Sequence, residues 1–252
     1  MNRNRRIQSL TTVMRKGARP CQEDHLMAID GRGLFSVADG FGGPSPGAEA
    51  AKQACDSVRE YLLHEAGDRD ATMPFVLRSY FSLAGNVLFN ALIHANRKLM
   101  QLNQNRNVHE KGGASVVTGF LDGDLFAIAN LGACSASLLR GGARTELVIP
   151  RTLGRMVHLG ADGDSHSGIS GGLPMTALGL VDDLEPEIFE YRVKDSDWLL
   201  LHTDGIQSLE LAELQTIQKQ GMPVKDATDL AFEALHQAKD DSDNAAAILI
   251  MF

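Results

Sequence analysis

Several things are missing from this 252-residue chain, and each absence removes a class of protein. Cysteine is scarce: Cys21, Cys55 and Cys134 are an odd number without C-x-x-C spacing, which supports neither a disulfide framework nor a zinc knuckle. No apolar run approaches the roughly 18 residues of a membrane-spanning helix. The opening MNRNRRIQSL is basic but has no apolar stretch behind it, so no signal peptide is expected. Positive charge is in deficit, with 24 Lys plus Arg against 32 Asp plus Glu. The resulting net charge of −8 argues against a reader of nucleic-acid backbone or an anionic-membrane binder. Repeats, low-complexity linkers and β-α-β alternation are missing too. What remains is ordinary globular composition, 44% hydrophobic and 22% charged. The expectation is one domain spanning residues 1–252, monomeric and cytoplasmic.

Periodicity then places the elements. Leu26 to Ile29 and Leu34 to Ala38, separated by Asp30-Gly31-Arg32-Gly33, read as a hairpin. Past a glycine-rich stretch at 40–47, Ser45 is placed as a helix cap with Pro46 at the first helical position. Ala51, Ala54, Cys55, Val58, Tyr61 and Leu62 follow at helical spacing. A second helix is read over 75–104, carrying Leu77, Tyr80, Phe81, Ala84 and onward to Leu99; its wide stripe predicts that both helices pack together and on a sheet. From Ala114 the period changes to that of strands, at 115–120, 125–130, 135–140 and 143–149, with Asp122-Gly123 and Gly141-Gly142 as turns. Residues 151–172 read as a loop, 188–193 and 198–202 as strands, 224–235 as a helix and 245–252 as a final strand. Strands, a helix pair, then many strands indicate an α+β fold with antiparallel sheets.

Chemistry is suggested where carboxylates stand at the ends of apolar strands. Asp39 closes Leu34 to Ala38 and precedes Gly40, and Asp204 follows Trp198 to Leu201 and precedes Gly205. Asp243 comes just before Ala245 to Ile250, and Glu23-Asp24 just before Leu26 to Ile29. Any one Asp-Gly is an ordinary turn. Several such carboxylates converging at a core rim would repel one another unless protons or cations intervene, and hard ions such as Mg2+ or Mn2+ take oxygen ligands. A glycine beside the Asp lets a backbone carbonyl approach such an ion.

The same residues carry a resemblance. Arg19-Pro20-Cys21-Gln22-Glu23-Asp24 is similar to R-x-x-x-E-D, and Val37 to Gly43 to V-x-D-G-x-G-G. Gly113-Ala114-Ser115 stands for G-T-T, Thr176 to Gly179 for T-R-A-L-G, Thr203-Asp204-Gly205 for S-D-G, and Asp243-Asn244 for a late D-N. In this order, from about residue 11 onward, the blocks resemble the PPM, or type-2C, metal-dependent serine/threonine protein phosphatases in their compact bacterial form. The resemblance implies a four-layer α-β-β-α sandwich, two antiparallel sheets flanked by helix pairs. It implies two divalent ions, Mn2+ or Mg2+, at one end. Asp39 would bridge them, the Gly40 carbonyl would bind one, Asp204 and Asp243 would complete the other, and Glu23 and Asp24 would bind directly or through water. Arg19 would hold the phosphate of a phosphorylated protein with its planar fork. A metal-activated water would attack phosphoserine or phosphothreonine in line, with no covalent intermediate.

Departures from the pattern open a second reading. Ala133 stands where the family's G-D-S carries an Asp for a third metal, and a methyl group cannot ligate. The segment before Thr176 is short for the usual substrate-framing flap, and Asp162 and Asp164 could compensate or simply belong to a solvated loop. A phosphatase-fold regulatory or binding module with little catalysis is therefore the alternative, and a small-molecule phosphoesterase a third reading. His25 and His202 lie near the proposed site in sequence, either as ordinary packed or solvated histidines or as proton donors. Phe41 occupies the place of a histidine acid in some relatives. Cys134 reads as a small packed residue, and the glycines at 40–47, without Lys-Ser/Thr, as a turn rather than a P-loop.

Overall fold

The run Ala245–Met251 is apolar at every position and buried at every position. A strand with no polar face has to lie inside a sheet covered on both sides, and its neighbours show that it does. The computed structural model describes residues 7–64, 77–158, 173–237 and 243–252. In chain order the strands are β1 (Ser9–Arg15), β2 (Asp24–Ile29), β3 (Leu34–Phe41), β4 (Gly113–Asp122), β5 (Leu125–Leu131), β6 (Ser135–Arg140), β7 (Ala143–Val148), β8 (Glu187–Arg192), β9 (Trp198–His202) and β10 (Ala245–Met251). The helices are α1 (Pro44–His64), α2 (Leu83–Asn103), α3 (Leu153–His158), α4 (Ser208–Lys219) and α5 (Val224–His236). One five-stranded sheet runs β1-β10-β9-β6-β7 and the other β2-β3-β4-β5-β8, every pairing antiparallel.

Alternation along the strands sorts the apolar side chains into three layers. Phe35, Val37, Phe126, Ile128, Leu199, Leu201 and Ile248 fill the space between the sheets. Leu88, Leu92 and Leu99 of α2 join Val58 of α1 over the outer face of the second sheet. Leu211, Leu214, Ala231 and Leu235 of α4 and α5 cover Leu200 and Leu249 on the first sheet. The result is the expected α+β architecture, two antiparallel sheets flanked by helix pairs. Among the described residues, no helix is long and apolar enough to cross a membrane.

Several local readings are corrected. The second helix starts at Leu83, because Ser82 caps it by accepting the Gly85 N–H at 3.1 Å, and Asn86 reaches back to both backbone groups of Arg78. Leu77 and Tyr80 precede the helix and are exposed. Helix α1 begins at Pro44, ahead of the expected Ser45 cap; proline lacks the N–H that a first turn leaves unbonded. Helix α4 is not among the expected elements: its glutamates and glutamines mask a buried stripe of Leu211, Leu214 and Ile217. Of the expected 151–172 loop, Leu153–His158 forms helix α3 instead, and residues 159–172, with Asp162 and Asp164, lie outside the described residues.

The inter-sheet layer is the structural test of this packing. Phe126 is fully buried, with ring centroids 6.1 Å from Phe35 and 6.5 Å from Phe252. Replacing Phe126 by Ala is expected to lower unfolding free energy by about 3–5 kcal/mol in urea titration. A loss below about 1 kcal/mol would show that the layer is not close-packed there.

Candidate active site

Antiparallel pairing brings the acidic strand ends together. β2 begins where β3 ends, so Asp24 and Asp39 are register partners. β9 ends where β10 begins, with His202 opposite Ala247, which puts Asp204 and Asp243 at the corresponding edge of the other sheet. Thr203 fastens the two edges. Its hydroxyl donates to Asp24 Oδ2 at 2.8 Å and accepts the Ala246 N–H at 2.9 Å, while its own N–H bonds to the Ala246 carbonyl at 3.0 Å.

Close backbone approach sets the surrounding turns. A Cβ on Gly40 would lie 2.0 Å from the Gly47 carbonyl oxygen, so the chain leaving β3 can touch the first turn of α1 only through glycine. A Cβ on Gly205 would lie 1.9 Å from the Asn244 carbonyl oxygen, which ties the Asp204 turn to the residue after Asp243. Asn244 acts as the pin of this corner: it accepts from the Glu23 N–H at 2.8 Å and donates to the carbonyls of Lys16 and Cys21 at 2.5 and 3.0 Å. Gly40 in turn donates its N–H to the Glu23 carbonyl at 3.1 Å. Thr203 and Asn244 are the residues whose roles the motifs did not supply, since their partners lie far away in sequence.

Electrostatics at this end is dominated by like charge. Asp24 is buried, and burial first, then Asp204, push its carboxyl up from 3.8 to about 7, against the Thr203 hydrogen bond, which favours ionisation. Asp39 is held well above the carboxylate range by burial, by Asp204 and by Asp24. Asp24 raises Asp39 further, as expected of two carboxyls on paired residues. Asp204 faces solvent on its outer side, yet enclosure by surrounding atoms and then Asp243 raise it as well. Glu23 is raised by burial, and its Oε1 is buried without a hydrogen-bond partner. Arg19 is exposed, with its NH2 group 2.7 Å from Asp243 Oδ2.

The structure thus gathers Glu23, Asp24, Asp39, Gly40, Asp204, Asp243 and Arg19 at one end of the sandwich. An all-oxygen donor set, an orphaned Glu23 oxygen and carboxyls that repel one another fit hard divalent cations. Among the described residues no three His, Cys, Asp or Glu side chains form a ready cage for one ion. Ions such as Mg2+ take one or two carboxylates and keep several waters, which suits an open, oxygen-lined mouth. The histidines do not face these acids. His25 sits among Asp56, Lys52 and Arg59 of α1. His202 is buried, with Nδ1 2.7 Å from the Thr203 carbonyl and its pKa pushed down to about 4 by burial. Phe41 packs its ring against Gly113. Cys134 is fully buried, its thiol raised well above 9 by burial and then by Asp39, Asp24 and Asp204, so it is a packed thiol.

These shifts predict a pH dependence. Burial lowers both His25 and His202, so near pH 6.5 the unfolded imidazoles take up protons that the folded ones do not, an opposing effect that fades by about pH 7.5. Above that pH the folded chain still holds carboxyl protons that the unfolded chain has released, so stability falls as pH rises. In chelator, the melting temperature is expected to drop between about pH 7.5 and 8.5, to recover on Mn2+ addition, and to drop less steeply in Asp39→Asn, where buried Asp24 remains raised. A pH-independent melting temperature over this range would contradict the raised carboxyls.

With this geometry established, similar proteins can be compared. No family model and no curated protein sequence matches the chain, whereas solved structures do. The serine/threonine phosphatase Stp1 from Staphylococcus aureus superposes with a TM-score of 0.78 at 19% identity, over 100% of this chain and 97% of that one. The PPM Ser-Thr phosphatase MsPP from Mycobacterium smegmatis, in complex with cacodylate, gives 0.69 at 21% identity, over 98% and 99%. The catalytic domain of the serine threonine protein phosphatase PstP, in complex with two manganese ions, gives 0.70 at 20% identity, over 97% and 98%. End to end, the chain has the fold of the bacterial PPM serine/threonine phosphatases.

Proposed function

We propose that this chain is a Mn2+- or Mg2+-dependent phosphatase that hydrolyses phosphoserine and phosphothreonine in proteins. The observation that carries this reading is the gathering of Asp24, Asp39, Asp204 and Asp243 at the end of the two sheets, with Arg19 beside them. The two manganese ions in the PstP complex support the same assignment. In it Asp39, the Gly40 carbonyl, Asp204 and Asp243 would hold the ions, and Asp24 and Glu23 would bind directly or through water. Two divalent ions, when bound, lower the pKa of a water and draw charge from a phosphoryl group.

The chain's own residues supply the rest. Thr203 holds Asp24 in place across the sheet boundary, so the carboxylate cannot turn away as its proton leaves. Arg19 uses one amino group on Asp243, and its remaining donors are free to orient phosphate oxygens in a planar fork. Because this arginine is exposed, its ion pair is worth only about 0–1 kcal/mol and exchanges readily for a phosphate. Val37, Val117 and Cys134 are buried in the layer between the sheets.

Hydrolysis of a phosphothreonine peptide is the direct test. Phosphate release is expected with Mn2+ or Mg2+, none in chelator, and a fall of at least about 100-fold in Asp39→Asn at unchanged far-UV circular dichroism. Undiminished release by Asp39→Asn would remove Asp39 from the reaction.

One observation favours a second reading, a regulatory or binding module of the same fold. Ala133 is buried in the turn between β5 and β6, just after Gly132, where it offers no ligand. Under the phosphatase reading, Ala133→Asp is expected to raise turnover at limiting Mn2+. Phosphopeptide binding without hydrolysis in both the wild type and this variant would establish the binding module instead.

A further inference from the structure

Arg15 is the last residue of β1 and is only 8% exposed. A buried guanidinium is unusual unless several acceptors surround it, and each partner of Arg15 belongs to a segment that leads to one of the acids. Its NH2 group donates to the Gly205 carbonyl at 3.2 Å, one residue past Asp204, and to Glu210 Oε1 at 3.3 Å in the first turn of α4. Its NH1 group bonds to the carbonyl of Leu235 in the last turn of α5, the helix from which the chain proceeds to Asp243. Its own carbonyl accepts from Gln22 Nε2 at 2.8 Å, and Gln22 Oε1 accepts the Asp24 N–H at 3.0 Å.

We propose that Arg15 is a positioning residue for the acidic site, holding the segments that carry Asp204 and Asp24 at the spacing a divalent ion needs. The proposal rests on the reading of those acids as metal ligands. The ion pair by itself does not call for an arginine here. A buried ion pair such as Arg15–Glu210 is, as a rule, replaceable by apolar side chains of similar volume without net loss of stability. An apolar pair cannot donate to the Gly205 and Leu235 carbonyls. Lysine cannot reproduce the set either, since donors aimed at Gly205, Glu210 and Leu235 together need the guanidinium fork.

Full-length wild type, Arg15→Met/Glu210→Met, Arg15→Lys and Glu210→Gln are compared by Mn2+ titration calorimetry and by melting in chelator. The double variant is expected to remain folded, melting below the wild type because the Gly205 and Leu235 carbonyls lose their donor, and to need about 10-fold or more Mn2+ for half-saturation. Arg15→Lys is expected to weaken Mn2+ similarly. Glu210→Gln, which keeps the donors and an acceptor, is expected to bind Mn2+ as the wild type does. Half-saturation of folded Arg15→Met/Glu210→Met within about twofold of wild type would overturn the proposal. If that variant fails to fold, Arg15→Lys with wild-type Mn2+ affinity, or Glu210→Gln weakened as much as Arg15→Lys, overturns it equally. Wild type that takes up no Mn2+ would overturn the metal reading, and this proposal with it, which separates the two failures.

Discussion

Like charge concentrated at one end of a close-packed sandwich is the constraint around which this molecule is arranged. Asp24 and Asp39 face each other across a strand pair, a placement that weakens a sheet unless something intervenes. Burial and this mutual repulsion both favour the protonated form of the pair. Rigidity is the other requirement, and the hydroxyl of Thr203, the side-chain amide of Asn244 and the glycine contacts at 40–47 and 205–244 provide it. Each of these fastenings joins one sheet to the other or a turn to a strand edge. The acids are therefore presented by elements that cannot relax apart to relieve their repulsion.

How much of this can be read from the residues depends on the range of the interactions. The apolar runs ending in Asp39 and Asp204 and beginning after Asp243 are local signals, and they place both the strands and the acids. That these strand ends meet comes from pairing between distant segments, such as β1 with β10, and only the ordered set of motifs carries it in the sequence. Helix α4 is obscured by its polar composition; its burial depends on a sheet assembled from elsewhere. Arg15 gives no local sign of its role, because its partners lie 190, 195 and 220 residues away in the chain.

The surroundings of the acids explain why the other candidate groups have no share in the chemistry. His202 and Cys134 stand close in sequence to site residues, but strand alternation turns His202 toward the helices and Cys134 into the inter-sheet layer. There burial keeps the imidazole neutral and the thiol protonated at neutral pH. The two residues do the work of packing, and proton traffic is left to the carboxyls and to solvent.

The pairing of β1 with β10 has a consequence for how the protein comes to be. Ser9 lies opposite Met251, so the strand at the heart of the first sheet is separated from its neighbour by almost the whole described chain. Contacts of such sequence separation form slowly, since loop closure precedes any gain from pairing. On the ribosome, β1, β6, β7 and β9 all emerge before the strand that joins β1 to β9. Until β10 arrives, β6, β7 and β9 can pair, but β1 has no neighbour and the layer between the sheets lacks Ala246, Ile248 and Ile250. A partly made chain thus leaves that layer incompletely covered, a surface suited to chaperone capture, and the acidic site comes into being only with the closing strand.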